Sequence, residues 1–599
     1  MIYQMKFFPV TGPRHAYHYT GCNPKFDEIS HDPTKSVLFS IVMPVYNGKI
    51  KWLIKAINSI RHQWYHNWEL VIVNDGSSDE NLCTFLSTIK HPRIIIVNLG
   101  KNCGVSIATN EGLACCNGEY ITFIDQDDEL TPDALIEMKN AIVRHHPDLI
   151  YTDEDKFSES LLGRKYIAGH FKPDYSPDLL LSQNYITHLF VVQRDLLSRV
   201  GVFRSEFDGA HDYDLALRAS EAAEKICHIR KVLYHWRYHP GSMSHKAESR
   251  TRCSNAGLRA VAEAMKRRGV YAKIDHTALN NHYHIQRGII GEPLVSILIP
   301  FCDRSDLLER CFSSIISKTT YRNYEIVGIS NNSTDKNTRE FMARWEDKER
   351  KIRFDEYDIP FNYSKINNHA VGLSQGEYVV LMNNDIEIMT PQWIEMLLAH
   401  AQRPEIGAAG GKLYYPDGTI QHAGIVIGIR GFAGRPYRRF PKDSKGYLNR
   451  IMLTQDVSAV SGALMMMMKC KYVSVGGMDE SHLPVSLNDV DLCLRLLERG
   501  LFNVYTPYCE AMHDESSTRG SDESPDNRGR FQDELEYFRC RHQKILSSGD
   551  PFYNPNLSLE NEDVLYVPEP YLTSENLVGC YCREHGIFCG DQLPETDRS

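Results

Sequence analysis

The chain has 599 residues, 42% of them hydrophobic and 24% charged, with a formal net charge of −10. That length exceeds what one hydrophobic core holds, so two or more domains are expected, and the acidic balance argues against a general nucleic-acid binder. No apolar run reaches the roughly 20 residues that span a bilayer, and the opening stretch from Met1 to Tyr19 lacks a signal peptide's apolar core, so the sequence reads as cytoplasmic, with a peripheral contact at the inner face of a membrane left open.

In chain order, the first half offers FSIVMPVY from Phe39, the helically spaced IKWLIKAINSIRHQ from Ile50, WELVIVNDG from Trp68, RIIIVNLG from Arg93 and EYITFIDQDD from Glu119. Short Ile/Val-rich runs alternating with helices predict strands buried on both faces of a mostly parallel α/β sheet. The pattern then repeats. SIVMPVYN at Ser40 returns as SILIPFCD at Ser296, and WELVIVNDGSSD at Trp68 as YEIVGISNNSTD at Tyr324, both 256 residues on. GEYITFIDQDDEL at Gly118 returns as GEYVVLMNNDIEI at Gly376, and HDYDLALR as NDVDLCLR. The repeat is a duplicated domain, predicted at 36–270 and 293–570, with an extension at 1–35, a linker at 271–292 and a tail at 571–599.

The 16 cysteines read as reduced thiols in the absence of a secretion signal. Cys580, Cys582, His585 and Cys589 place four soft ligands close together, but in no familiar zinc spacing, so free thiols are the preferred reading there too. Arg435, Arg438 and Arg439 form a local basic patch, read as a solvated loop.

In sheets of this kind ligands bind beyond the carboxyl ends of the strands. There the first half has Asp75, then Asp125, Asp127 and Asp128. Acids on a tight turn suit Mn2+ or Mg2+, which take one or two carboxylates plus phosphate oxygens. The repeat pairs Asp127 with Asp385 and Asp125 with Asn383, so one carboxylate persists. Asp212 and Asp489 open a helix. Capping is the plain alternative there, and a general base that takes a proton from a hydroxyl is the functional one. Asp214 and Asp491, two residues on, are left with structural roles. A late histidine can complete a metal shell: His513 in the second half, and His239 or His235 in the first.

These blocks resemble family 2 glycosyltransferases, which have the GT-A fold, over roughly residues 36–570. The likeness is carried by PVYN, NDGSSD, DQDDEL and HDYDLALR in the first half. In the second it is carried by NNSTD, YSKINNHAVGL, TIQHAGIVIG, NDVDLCLR and HDESSTRG. FKPDYSPDLLLSQNYI and DPFYNPNLSL are similar to two-domain transferases of bacterial O-antigen and capsule synthesis. The resemblance implies two tandem GT-A domains, Rossmann-like with mostly parallel sheets, and an inverting transfer from UDP- or dTDP-linked sugars to a growing, lipid-linked glycan. By position it puts Pro44, Val45 and Tyr46, and Pro300 and Phe301, against the nucleotide. Asp75 would meet the pyrimidine, with Asn331 in its place in the second half. Asp125 and Asn383 lie on the nucleotide-sugar side of the acid turn. Asp127 and His239, and Asp385 and His513, are implied as metal ligands, with Asp212 and Asp489 as bases. One departure is Thr109, where relatives often carry a basic residue facing the diphosphate. The competing reading is one catalytic domain beside an inactive, acceptor-binding one. A nucleotidyltransferase is disfavoured, because PVYNGKIKW is not a Gly-rich basic phosphate loop.

Overall fold

The computed structural model describes residues 36–160, 163–239, 247–515, 524–565, 567, 577–584 and 587–589. In the first half, β1 (Phe39–Val45), β2 (Trp68–Asn74), β3 (Ile94–Asn98) and β4 (Tyr120–Phe123) run parallel. They continue through β5 (Leu149–Ser160), β6 (Phe190–Gln193) and β7 (Lys225–Arg237), giving the spatial order β3-β2-β1-β4-β6-β5-β7. The second half repeats it with β8 (Val295–Phe301), β9 (Tyr324–Ser330), β10 (Ile352–Glu356), β11 (Tyr378–Met382), β12 (Ile406–Tyr414), β13 (Leu464–Met468) and β14 (Phe502–His513), in the order β10-β9-β8-β11-β13-β12-β14. In both halves the sixth strand runs antiparallel to the fourth and fifth.

The apolar runs form central strands because both faces are covered. The helix Ile50–Arg61, for instance, buries Leu53, Ala56, Ile57 and Ile60 at the spacing of one helical face. One repeated clasp explains why the repeat is legible. Ser40 Oγ donates to Glu69 Oε1 at 2.6 Å and accepts from the Gly118 N–H at 2.7 Å. Ser296, Glu325 and Gly376 do the same at 2.6 and 2.8 Å. A Cβ on Gly118 or Gly376 would lie 2.6 Å from the carbonyl oxygen of Leu38 or Leu294, so the first strand sits too close for any side chain there.

The halves are joined by more than a linker. Residues 271–292 contain a hairpin, Ala272–His276 with Tyr283–Arg287. From it Arg287 reaches buried Asp178 at 3.1 Å, while Arg403 of the second half grips the same carboxylate with two contacts of 2.8 Å. Ser176 Oγ donates to Asp456 Oδ2 at 2.7 Å, and Asn554 Nδ2 to Asp153 Oδ2 at 2.8 Å. FKPDYSPDLLLSQNYI and DPFYNPNLSL are thus largely joint-forming segments.

The tail returns to the first half, where β15 (Val578–Cys582) pairs antiparallel with β7. This corrects the reading of every cysteine as a thiol: Cys227 on β7 and Cys580 on β15 face each other and are bonded, with Cα atoms 4.3 Å apart. The sulfur of Cys580 is therefore spent, His585 lies outside the described residues, and Cys582 is a free thiol. The Arg435–Arg438 patch is not a bare solvated loop either: Glu515 pairs with Arg435 at 2.8 Å and Arg438 at 3.4 Å. No helix among the described residues is long and apolar enough to cross a membrane.

Candidate active site

Parallel pairing of β1 with β2 and β4 brings three carboxyl ends to one rim, and β8, β9 and β11 do the same in the second half. In the first half the turn after β4 is pinned by Asp128. It is buried and accepts from Tyr234 OH at 2.6 Å and from the Arg237 N–H at 2.7 Å. That frees Asp127, whose Oδ2 lies 3.0 Å from His239 Nε2, with the His239 ring against Trp52 at 4.5 Å. His235, the alternative, is buried against Asp155 at 2.6 Å, and His239 is the histidine that lies beside Asp127. Asp125 is exposed to solvent. Crowding by protein raises its pKa, Asp127 and Asp212 add to the rise, and His188 and His211 oppose it. Asp212 opens the helix His211–Ala222 and accepts from Asn184 Nδ2 at 3.0 Å.

The second half builds a connected version. His513 Nδ1 meets Gln421 Oε1 at 2.6 Å, and Gln421 spends its amide N–H on the His513 carbonyl, so Nδ1 carries the imidazole proton. In the neutral ring Nε2 is then an acceptor, 3.2 Å from Asn383 Nδ2 and 3.1 Å from Asp385 Oδ1. That carboxylate oxygen is buried and has no hydrogen-bond donor. A lone pair on nitrogen and an orphaned carboxylate oxygen therefore face each other, a donor set that fits a divalent cation. Asn383 Oδ1 accepts from Tyr363 OH at 2.9 Å. Asp489 Oδ2 accepts from the Gly462 N–H at 2.8 Å at the start of the helix Asn488–Glu498. Asp214 and Asp491 are structural, held by Arg218 at 2.8 Å and Arg495 at 2.7 Å. Among the described residues no three His, Cys, Asp or Glu side chains gather to hold a metal; one carboxylate and one imidazole per half would leave the remaining positions to phosphate and water.

The nucleotide-side residues divide by burial. Tyr46 is exposed and Pro44 half-buried, so both can meet a ligand, whereas the Val45, Pro300 and Phe301 side chains are buried. Gln126 braces Tyr46, accepting from its N–H at 3.2 Å and donating to its carbonyl at 3.3 Å. Asp75 is buried and accepts from the N–H groups of Cys103 and Gly104 at 2.7 and 3.0 Å. Asn331 is buried too, but its amide donates to the carbonyls of Tyr357 and Ile359, both at 2.9 Å. Sequence reasoning missed Asn184, Tyr234, Tyr363 and Gln421 as individuals, although Asn184, Tyr363 and Gln421 lie inside FKPDYSPDLLLSQNYI, YSKINNHAVGL and TIQHAGIVIG.

The profile of glycosyl transferase family 2 matches residues 40–201 and 296–469, one match per half. The chain belongs to that family. It is a glycosyltransferase. An uncharacterized protein of Sinorhizobium fredii is 41% identical over 88% of this chain and 58% of its own length. The O-antigen biosynthesis protein RfbC of Myxococcus xanthus is 36% identical over 88% of this chain and 41% of its own length. The chain thus spans about half the length of these curated relatives. The S. aureus TarS fragment 1–349 in complex with UDP-GlcNAc is 21% identical, covers 38% of this chain and 72% of its own, and has a TM-score of 0.30, too low to carry an argument.

Proposed function

We propose that this glycosyltransferase is metal-dependent, inverting and bifunctional. Each half transfers one sugar from a UDP- or dTDP-linked donor to a growing O-antigen-like or capsule-like glycan, carried on a lipid at the inner face of the membrane. The observation that carries the proposal is the repeated trio: a strand-end carboxylate beside an imidazole, Asp127 with His239 and Asp385 with His513, and a separate helix-start carboxylate, Asp212 or Asp489. The name of the Myxococcus relative supports the polymer.

In each site the late Asp accepts the proton of an acceptor hydroxyl as that oxygen bonds to the anomeric carbon. The bond to the nucleoside diphosphate breaks on the opposite face, and the configuration inverts. Asn184 and the Gly462 N–H orient the two carboxylates. A bound Mn2+ or Mg2+ would supply charge neutralisation to the leaving diphosphate, held by Asp127 and His239 or by Asp385 and His513. Asp212→Asn and Asp489→Asn, made singly, are expected each to lower one transfer at least a hundredfold and to spare the other, as read by product analysis across a nucleotide-sugar panel. If one substitution stops every transfer and the other stops none, a single catalytic domain beside an acceptor-binding one is the correct reading.

A further inference from the structure

One loop in each half lies between the acid turn and the late Asp, and the two loops differ. Tyr120 on β4 faces Gln193 on β6, and Tyr378 on β11 faces Met468 on β13. Counting back five residues sets His188 against Ala463 and Thr187 against Gly462. Each loop reaches the base: Asn184 bonds Asp212, and Gly462 bonds Asp489. Each also reaches the acid turn. The Asn383 N–H donates to the Ala463 carbonyl at 3.1 Å. His188 stacks on Tyr234, with ring centres 4.6 Å apart and planes 8° apart, and the Tyr234 hydroxyl holds Asp128. Across the rim the order is Asp75, Pro44–Tyr46, the acid turn and then residue 188, each step about one strand spacing of 4.8 Å. A donor whose base lies over β2 and β1 and whose diphosphate lies at the acid turn has its sugar over residue 188, within reach of the base Asp212.

The His188 ring is fixed in place. Its Nδ1 lies 3.1 Å from Glu154 Oε2, which also accepts the His188 N–H at 3.1 Å. Glu154 Oε1 is met by Thr187 Oγ1 at 2.9 Å and His170 Nδ1 at 3.0 Å, and Lys172 Nζ lies 3.9 Å from Oε2. Trp236 closes the ring edge at 5.4 Å. The side chain keeps 25% exposure, and its Nε2 has no hydrogen-bond partner among the described residues. The second half lacks both members of this pair: the His position is Ala463, and β12 carries no acid.

We infer that His188 reads the donor sugar of the first site, its Nε2–H bonding an oxygen substituent on the transferred ring, and that Ala463 leaves the second site open to a different sugar. The inference rests on the proposed nucleotide-sugar transfer. Burial works against a charge on this ring, but Glu154, then Asp125 and Asp128, push its pKa up to about 9, so Nε2 carries its proton at neutral pH. A hydroxyl, carboxylate or acetamido oxygen satisfies that donor. A ring edge offering only C–H or methyl leaves it unpaired, which is how a polar site discriminates most strongly.

The test uses the full chain carrying Asp489→Asn, so that only the first site works, with kcat and KM measured across UDP- and dTDP-sugars. His188→Ala is expected to raise KM for the preferred donor tenfold or more and to flatten the donor ranking. His188→Gln, whose amide N–H can stand near the Nε2 position, is expected to restore part of the ranking. The same His188→Ala change with Asp489 intact and Asp212→Asn reports the second site, whose unchanged rate shows a folded chain. If that rate falls too, His188→Gln is the variant read. An unchanged donor ranking in an active chain overturns this inference alone. If neither single-site background transfers any sugar, the proposed function falls first.

Discussion

At the end of the second strand, the first half has Asp75 accepting two backbone N–H groups, and the second half has Asn331 donating to two backbone carbonyls. The difference teaches that this side chain is first a fastener for the loop beyond the third strand. Its charge follows the polarity that the loop presents. Contact with a base would use whatever lone pairs remain, so the exchange of Asp for Asn is not by itself a change of nucleotide. The rims differ more deeply one strand beyond the acid turn, where a clamped imidazole stands in one site and a methyl group in the other.

The largest effect is expected from reversing the polarity of the second fastener. Asn331→Asp sets a buried carboxylate against two carbonyl oxygens and should cost about 3–5 kcal/mol, seen as a lower thermal midpoint. Asp75→Asn leaves one N–H of the opposing pair without an acceptor and should cost less, about 1–3 kcal/mol. If both changes prove neutral, the fastener account is wrong.

The smallest effect is a pH window confined to the first site. Burial alone would raise the pKa of Glu154, but Lys172, His170 and His188 hold it well below its ordinary 4.5. Its stabilising contribution is therefore present above that value and lost as the pH falls. His188 is raised from 6.5 to about 9, so its contribution is complete below 6.5 and lost as the pH rises through 9. The thermal midpoint of the natural chain should exceed that of His188→Ala by a few degrees near pH 6, and the gap should narrow by about pH 9.5 to what the ring contacts with Tyr234 and Trp236 contribute. A gap that does not change with pH contradicts the charged pair.

The duplication and the sheet were legible because both rest on local pattern. The apolar runs and the Ser–Glu–Gly clasp recur in the same order, and close packing leaves no choice at Gly118 and Gly376. The acids of the rim were legible for the same reason, standing just past those runs. The partners that aim them were not. Tyr234, Asn184 and Gln421 lie 106, 28 and 92 residues from Asp128, Asp212 and His513, and only the fold joins them. The different places of His235 and His239 were likewise set by the fold: His235 lies within β7 against Asp155, whereas His239 lies past the end of that strand, beside Asp127. The return of the tail to pair Cys580 with Cys227 spans 353 residues, and no spacing rule could reveal it.

The claim at the centre is that both rims bind a nucleotide through a cation. The most direct measurement is calorimetric titration of the full chain with UDP and dTDP in turn, in the presence of Mn2+. The account predicts a summed stoichiometry of two nucleotides per chain, falling to one when Asp385 and His513 are both changed to Ala. A natural chain that binds one nucleotide, or a variant that still binds two, would contradict it.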